Sequence, residues 1–107
     1  MKEILMNSRT SGIDPMKLQT IQACLDTQFR NVTFDQKIRP TFTYHHGDHK
    51  LSWLLVIHEE FFADQMTLEE LWQFIDAKVI KKILQNPGKR IQVSKYWDVT
   101  VEERIHS

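Results

Sequence analysis

The sequence has one cysteine, three glycines, three prolines, no net charge and no long apolar run. Each shortage excludes a class of protein. With Cys24 alone, no intramolecular disulfide can form, so the expected compartment is the reducing cytoplasm. Without a repeat, a low-complexity tract or a Gly/Ser/Pro-rich linker, nothing divides the 107 residues, and one domain is expected. No stretch approaches the roughly 20 apolar residues that cross a bilayer, and Met1–Met6 carries Lys2 and Glu3 where a signal peptide is apolar. Neither secretion nor membrane insertion is expected. Fourteen Lys and Arg balance fourteen Asp and Glu, which removes the simplest electrostatic case for a nucleic-acid or membrane partner. A Gly-rich phosphate loop, a nucleophile elbow and a His-Glu-x-x-His pair are also missing, so no enzyme activity and no cofactor are expected.

The residues that remain are those of a globular domain. An apolar content of 41% is too high for a disordered chain. Residues 1–13 read as an irregular entry. Asp14-Pro15 then opens a helix as N-cap and first helical residue, and Leu18, Ile21, Leu25 and Phe29 carry it to about Arg30. Val32-Thr33-Phe34 suggests a short strand. From Phe42 to Ile57 the apolar residues alternate, and a two-residue turn at Gly47-Asp48 would set Phe42 opposite Trp53 and Tyr44 opposite Leu51. Leu54 and Val56 fall on the other face of that second strand, which marks it as central in its sheet. Thr67 with Glu70 forms a capping box, Met66 with Leu71 a hydrophobic staple, and Asn86-Pro87-Gly88 a stop around a second helix striped by Leu68, Leu71, Trp72, Ile75, Val79 and Ile83. A long final strand spans Ile91 to Val101, interrupted on its apolar face by Lys95. The order α-β-β-α-β predicts an α+β fold: a two-layer sandwich, two helices on a mostly antiparallel sheet of three to four strands.

Three surfaces are candidates for function. Leu54 and Val56, with Tyr96 and Trp97 of the last strand, suggest an apolar strip on a sheet face that the helices leave open; such a strip fits a protein interface, with a second copy of the chain as partner. The long last strand offers an edge as another route to a dimer. On this reading the protein is a cytoplasmic adaptor, inhibitor or accessory protein. An alternative is nucleic-acid binding through Lys78, Lys81, Lys82, Lys89, Arg90 and Lys95, which follow an acidic stretch without an intervening carboxylate; the helix macrodipole accounts for about half of this charge switch. A third is metal binding by His46 and His49 across the hairpin, with Asp48 at the turn and His58 or His106 as distant candidates. Cys24, inside the first helix beside its apolar stripe, reads as a structural thiol, and Glu59-Glu60 on opposite faces of a strand do not make an acid/base pair.

Overall fold

The structure, a computed structural model, describes residues 13–36, 38–47 and 51–102. Helix α1 (Pro15–Asp26) begins as its sequence specifies: the Asp14 carboxylate accepts the Met16 N–H at 2.9 Å, and Pro15 follows it. The helix stops before the expected Arg30. The Thr27 hydroxyl donates to the Cys24 carbonyl at 2.6 Å, and Phe29 leaves the helical path for the core, where its ring lies 4.7 Å from that of Tyr44.

The sheet has five strands, β1 (Arg30–Gln36), β2 (Pro40–His45), β3 (Trp53–Ile57), β4 (Arg90–Val93) and β5 (Val99–Glu102), neighbours in chain order. All pairs are antiparallel except β3 with β4, which a helical crossover makes parallel. The fold is α+β, two helices against a mixed sheet, with more strands than the expected three or four. One extra comes from the Val32-Thr33-Phe34 segment, which is a full edge strand with a bulge between Arg30 and Thr33, where Asn31 takes a φ of 55°.

The other comes from the final strand, which is two strands. Around the turn, the Ser94 N–H donates to the Asp98 carbonyl at 2.9 Å, and the Ser94 hydroxyl accepts from the Tyr96 and Asp98 N–H groups at 3.0 and 3.2 Å. Lys95, Tyr96 and Trp97 reverse the chain, and Trp97 sits at a φ of 70°, where such hairpins usually place glycine or asparagine. Lys95 therefore does not interrupt an apolar strand face; it stands in the turn.

The β2–β3 register also differs from expectation. Phe42 pairs with Leu55 and Tyr44 with Trp53, two residues along from the register that a Gly47-Asp48 turn would impose. A slip of two keeps every side chain on its face, so Phe42, Tyr44, Trp53, Leu55 and Ile57 remain in the core while Leu51 moves out to solvent. Alternation alone does not distinguish these registers. Asp48 lies outside the described residues.

Helix α2 (68–85) starts at the Thr67–Glu70 capping box, both of whose hydrogen bonds are 3.0 Å long. It then passes from α-helical Leu68–Phe74 through π-helical Ile75–Ile80 to α-helical Lys81–Gln85. Its core residues explain the change. Leu71, Ile75, Val79 and Ile83 are all fully buried and spaced by four. At 3.6 residues per turn, Ile83 would drift roughly 120° from Leu71, while Lys78 and Lys82 would come within about 20° of it. Hydrogen bonds to the fifth residue put more residues in each turn, so Val79 and Ile83 return to the core and the lysines stay outside.

The core joins α1, α2 and one sheet face, with Phe61 and Phe62 contributed by a short 3₁₀ helix, Glu59–Ala63. Lys17 of α1 ties this segment down, donating to the carbonyls of Phe62 and Asp64 at 2.7 and 3.0 Å. No described helix is long and apolar enough to cross a membrane.

Two changes test these arguments. Deleting the exposed Ala77 converts the 4-4-4 spacing to 4-3-4, which an ordinary α-helix accommodates. The deletion variant should unfold in urea at the wild-type midpoint or above, and a loss of more than about 2 kcal/mol would count against the spacing argument. Replacing Trp97 by Ala or Gly removes its ring from the core, but only Gly also relieves the positive φ. Both should destabilise, with Gly the milder by about 1 kcal/mol.

Candidate functional site

The register builds two rows of side chains on the sheet face opposite the helices. One runs Thr33, Thr43, Leu54, Arg90, Glu102; the other runs Asp35, Thr41, Val56, Gln92, Thr100. Both cross β3 at the middle strand, so the apolar residues stand at the centre and polar ones at either side. Val56 is 8% exposed although it lies apart from the main core. Leu54 is half-buried.

Polar contacts hold the flanks. The Thr33 and Thr43 hydroxyls share a hydrogen bond of 2.6 Å between β1 and β2. On the other flank, Glu102 accepts from Gln92 at 2.7 Å and pairs with Arg90 at 3.3 Å. His45 Nε2 lies 3.3 Å from the Ser52 hydroxyl at one end of the face.

Of the four residues expected to form one apolar strip, the structure brings together only Leu54 and Val56. Trp97 lies on the helix side, its ring 4.9 Å from Phe61 and 4.8 Å from Phe74, and its Nε1–H donates to the Asp64 carboxylate at 2.6 Å. Tyr96 is 73% exposed at the turn. The turn separates the two aromatics because their strand ends before them.

The basic residues do not form one patch either. Lys78, Lys81 and Lys82 lie along α2, whereas Arg90 opens β4 and Lys95 stands in the turn beyond that strand's far end. Arg90 pairs with Glu102, and Lys95 pairs with Glu60 at 3.3 Å while lying 5.4 Å from the centre of the Tyr96 ring. Lys89 is exposed just before β4. The chain-order run of cations is thus spread over a helix, a strand end and a turn.

His46 packs against Phe29 and Trp53, ring centres 5.5 and 5.3 Å away, while His49, Asp48 and His106 lie outside the described residues. His58 is used locally: its Nδ1 accepts the Glu60 N–H at 3.1 Å and caps the 3₁₀ helix. Glu59 and Glu60 open that helix and are not strand residues. Among the described residues, no three His, Cys, Asp or Glu side chains are grouped to hold a metal ion.

Cys24 is buried, its thiol 3.8 Å from the Trp72 carbonyl, and burial followed by the Asp76 carboxylate pushes its pKa up to about 11. A thiol held protonated is a poor nucleophile. Tyr44 is fully buried with its hydroxyl unpartnered, and burial pushes its ionisation upward too. No feature of the sequence distinguishes this tyrosine from a core phenylalanine. The paired flanks of the open face were missed as well, because they depend on β1 pairing with β2 and on the division of the last strand.

No protein-family model, curated protein or solved structure matches this chain.

The two raised pKa values predict alkaline sensitivity. Unfolded, Cys24 loses its proton near its ordinary value of 9.0, and folded only near 11, so its contribution is intact below pH 9 and lost as pH rises toward 11. Tyr44 acts in the same direction above its ordinary value of 10.0. Melting temperature should fall across this window, and Cys24→Ala should flatten the first part of the fall; an unchanged slope would refute the assignment.

Proposed function

We propose that this chain is a protein-interaction module of the cytoplasm that acts by binding, through the open face of its sheet. The observation that carries this reading is the arrangement of that face: the half-buried Leu54 at its centre, next to the nearly buried Val56, with hydroxyls, amides and charges on both sides. An apolar centre inside a polar rim is how protein interfaces are built. The matching partner is a protein surface of similar flatness, with a small apolar centre and donors and acceptors around it. Arg90 and Lys95 are already paired with carboxylates, which favours a protein over the phosphate backbone of a nucleic acid.

A photoreactive amino acid placed at Thr43, and as a control at the exposed Lys81 of α2, tests the reading in cells producing the full chain. Irradiation should give a protein adduct from position 43 and none from position 81. Equal yields, or no adduct from position 43, would reject the open face as the docking surface.

A further inference from the structure

We infer that the outer edge of β5 pairs with the same edge of a second copy of this chain, antiparallel about Thr100, so that two five-stranded sheets become one. The hydrogen-bond ladder fixes which backbone groups face outward. The Ser94 N–H donates to the Asp98 carbonyl at 2.9 Å, and the Val93 carbonyl accepts the His58 N–H at 2.9 Å. Even-numbered residues of β4 therefore bond to β5, and odd-numbered ones to β3. It follows that Thr100 and Glu102 turn their backbone groups inward, to Gln92 and Arg90. Those of Val99 and Val101 point away from the sheet, and no described strand lies beyond them. An extended strand supplies donors and acceptors at this spacing; a helix or a loop does not.

The two edges of the sheet differ in a way that singles out this one. β1 is protected by its bulge between Arg30 and Thr33. β5 pairs regularly, consists of β-branched Val99-Thr100-Val101 before Glu102, and has no bulge, proline or lysine; Glu102 is already paired with Arg90. A second β5 fits it in one register. A twofold axis normal to the sheet at Thr100 sets Val99 of each copy opposite Val101 of the other, as hydrogen-bonded pairs that use every outward group. The two Thr100 side chains then face each other, a favourable cross-strand pair of the kind that Thr33 and Thr43 already make, their hydroxyls 2.6 Å apart. Centring on Val99 would instead set Val101 against Trp97, which belongs to the turn. Asp98 falls opposite Glu102 at each end of the ladder, a like-charge contact that Arg90 offsets. Residues 86–89 lead from the end of α2 to Arg90, opposite Glu102, so the antiparallel pairing keeps the two helix ends at opposite ends of the ladder.

This pairing leaves both open faces free, side by side on the same side of the joined sheet, so it stands or falls separately from what docks there. The ladder is short, so the dimer is weak and the test extends to about 1 mM of the purified full chain. Sedimentation equilibrium should show a mass rising from 12.8 kDa toward twice that value. Thr100→Lys and Thr100→Glu should each weaken the dimer about fivefold with an unchanged circular dichroism spectrum, because either change sets like charges opposite each other. An equimolar mixture of the two variants should associate more tightly than either alone, and this gain should shrink in high salt. A monomer at every concentration would leave the edge to solvent or to a foreign strand and overturn the inference. So would a mixture no tighter than its components, or Lys and Glu effects of opposite sign, which would set Thr100 opposite Glu102 instead.

Discussion

Burying Leu71, Ile75, Val79 and Ile83 on one side of α2 is the constraint from which most of this fold follows. Four residues spaced by four cannot stay in line on an ordinary α-helix, so the helix is underwound at Ile75–Ile80. With that adjustment the helix keeps these four side chains in the common core while linking β3 to β4. Because the link is a crossover, β4 enters parallel to β3, and the β1–β2–β3 meander and the β4–β5 hairpin become one sheet. The rows on the open face are a by-product of this joining. Thr43 and Arg90 flank the same Leu54 only because the crossover aligns Leu55 with Ile91.

The elements with local chemical signals were legible in the sequence. Asp14-Pro15 and Thr67–Glu70 start helices because their hydrogen bonds close within a few residues, and the alternation assigns Phe42 to Tyr44 and Trp53 to Ile57 to their faces correctly, while Leu51, expected on the core face, lies in solvent. What was not legible depends on long-range contact. The two-residue register slip changes no side chain's face, so the pattern is silent about it. The break at Ser94–Asp98 carries a bulky Trp97 where turn chemistry calls for glycine, and the indole stays there because Phe61, Phe74 and Asp64 hold it. Residues 91–101 alternate well enough to read as one strand, and that misreading placed Tyr96 and Trp97 on a face to which neither belongs.

The candidate site was half legible for the same reason. Leu54 and Val56 stand out as apolar residues on the wrong side of an alternating strand, which is a local observation. Their neighbours, Thr33 to Glu102, come from four other strands and acquire meaning only from the register. The cations at positions 78 to 95 show the reverse error: proximity in the chain suggested a patch that the turn from helix to strand to hairpin disperses.

The bulge at Asn31 bears on how far association of this sheet can proceed. A regular edge strand offers its backbone groups to any other edge and permits indefinite growth; here the β1 edge is distorted by the bulge. The helices occupy one of the two faces. A bulged edge and a helix-covered face both resist further strand or sheet pairing, so growth of the sheet from the β1 side is disfavoured.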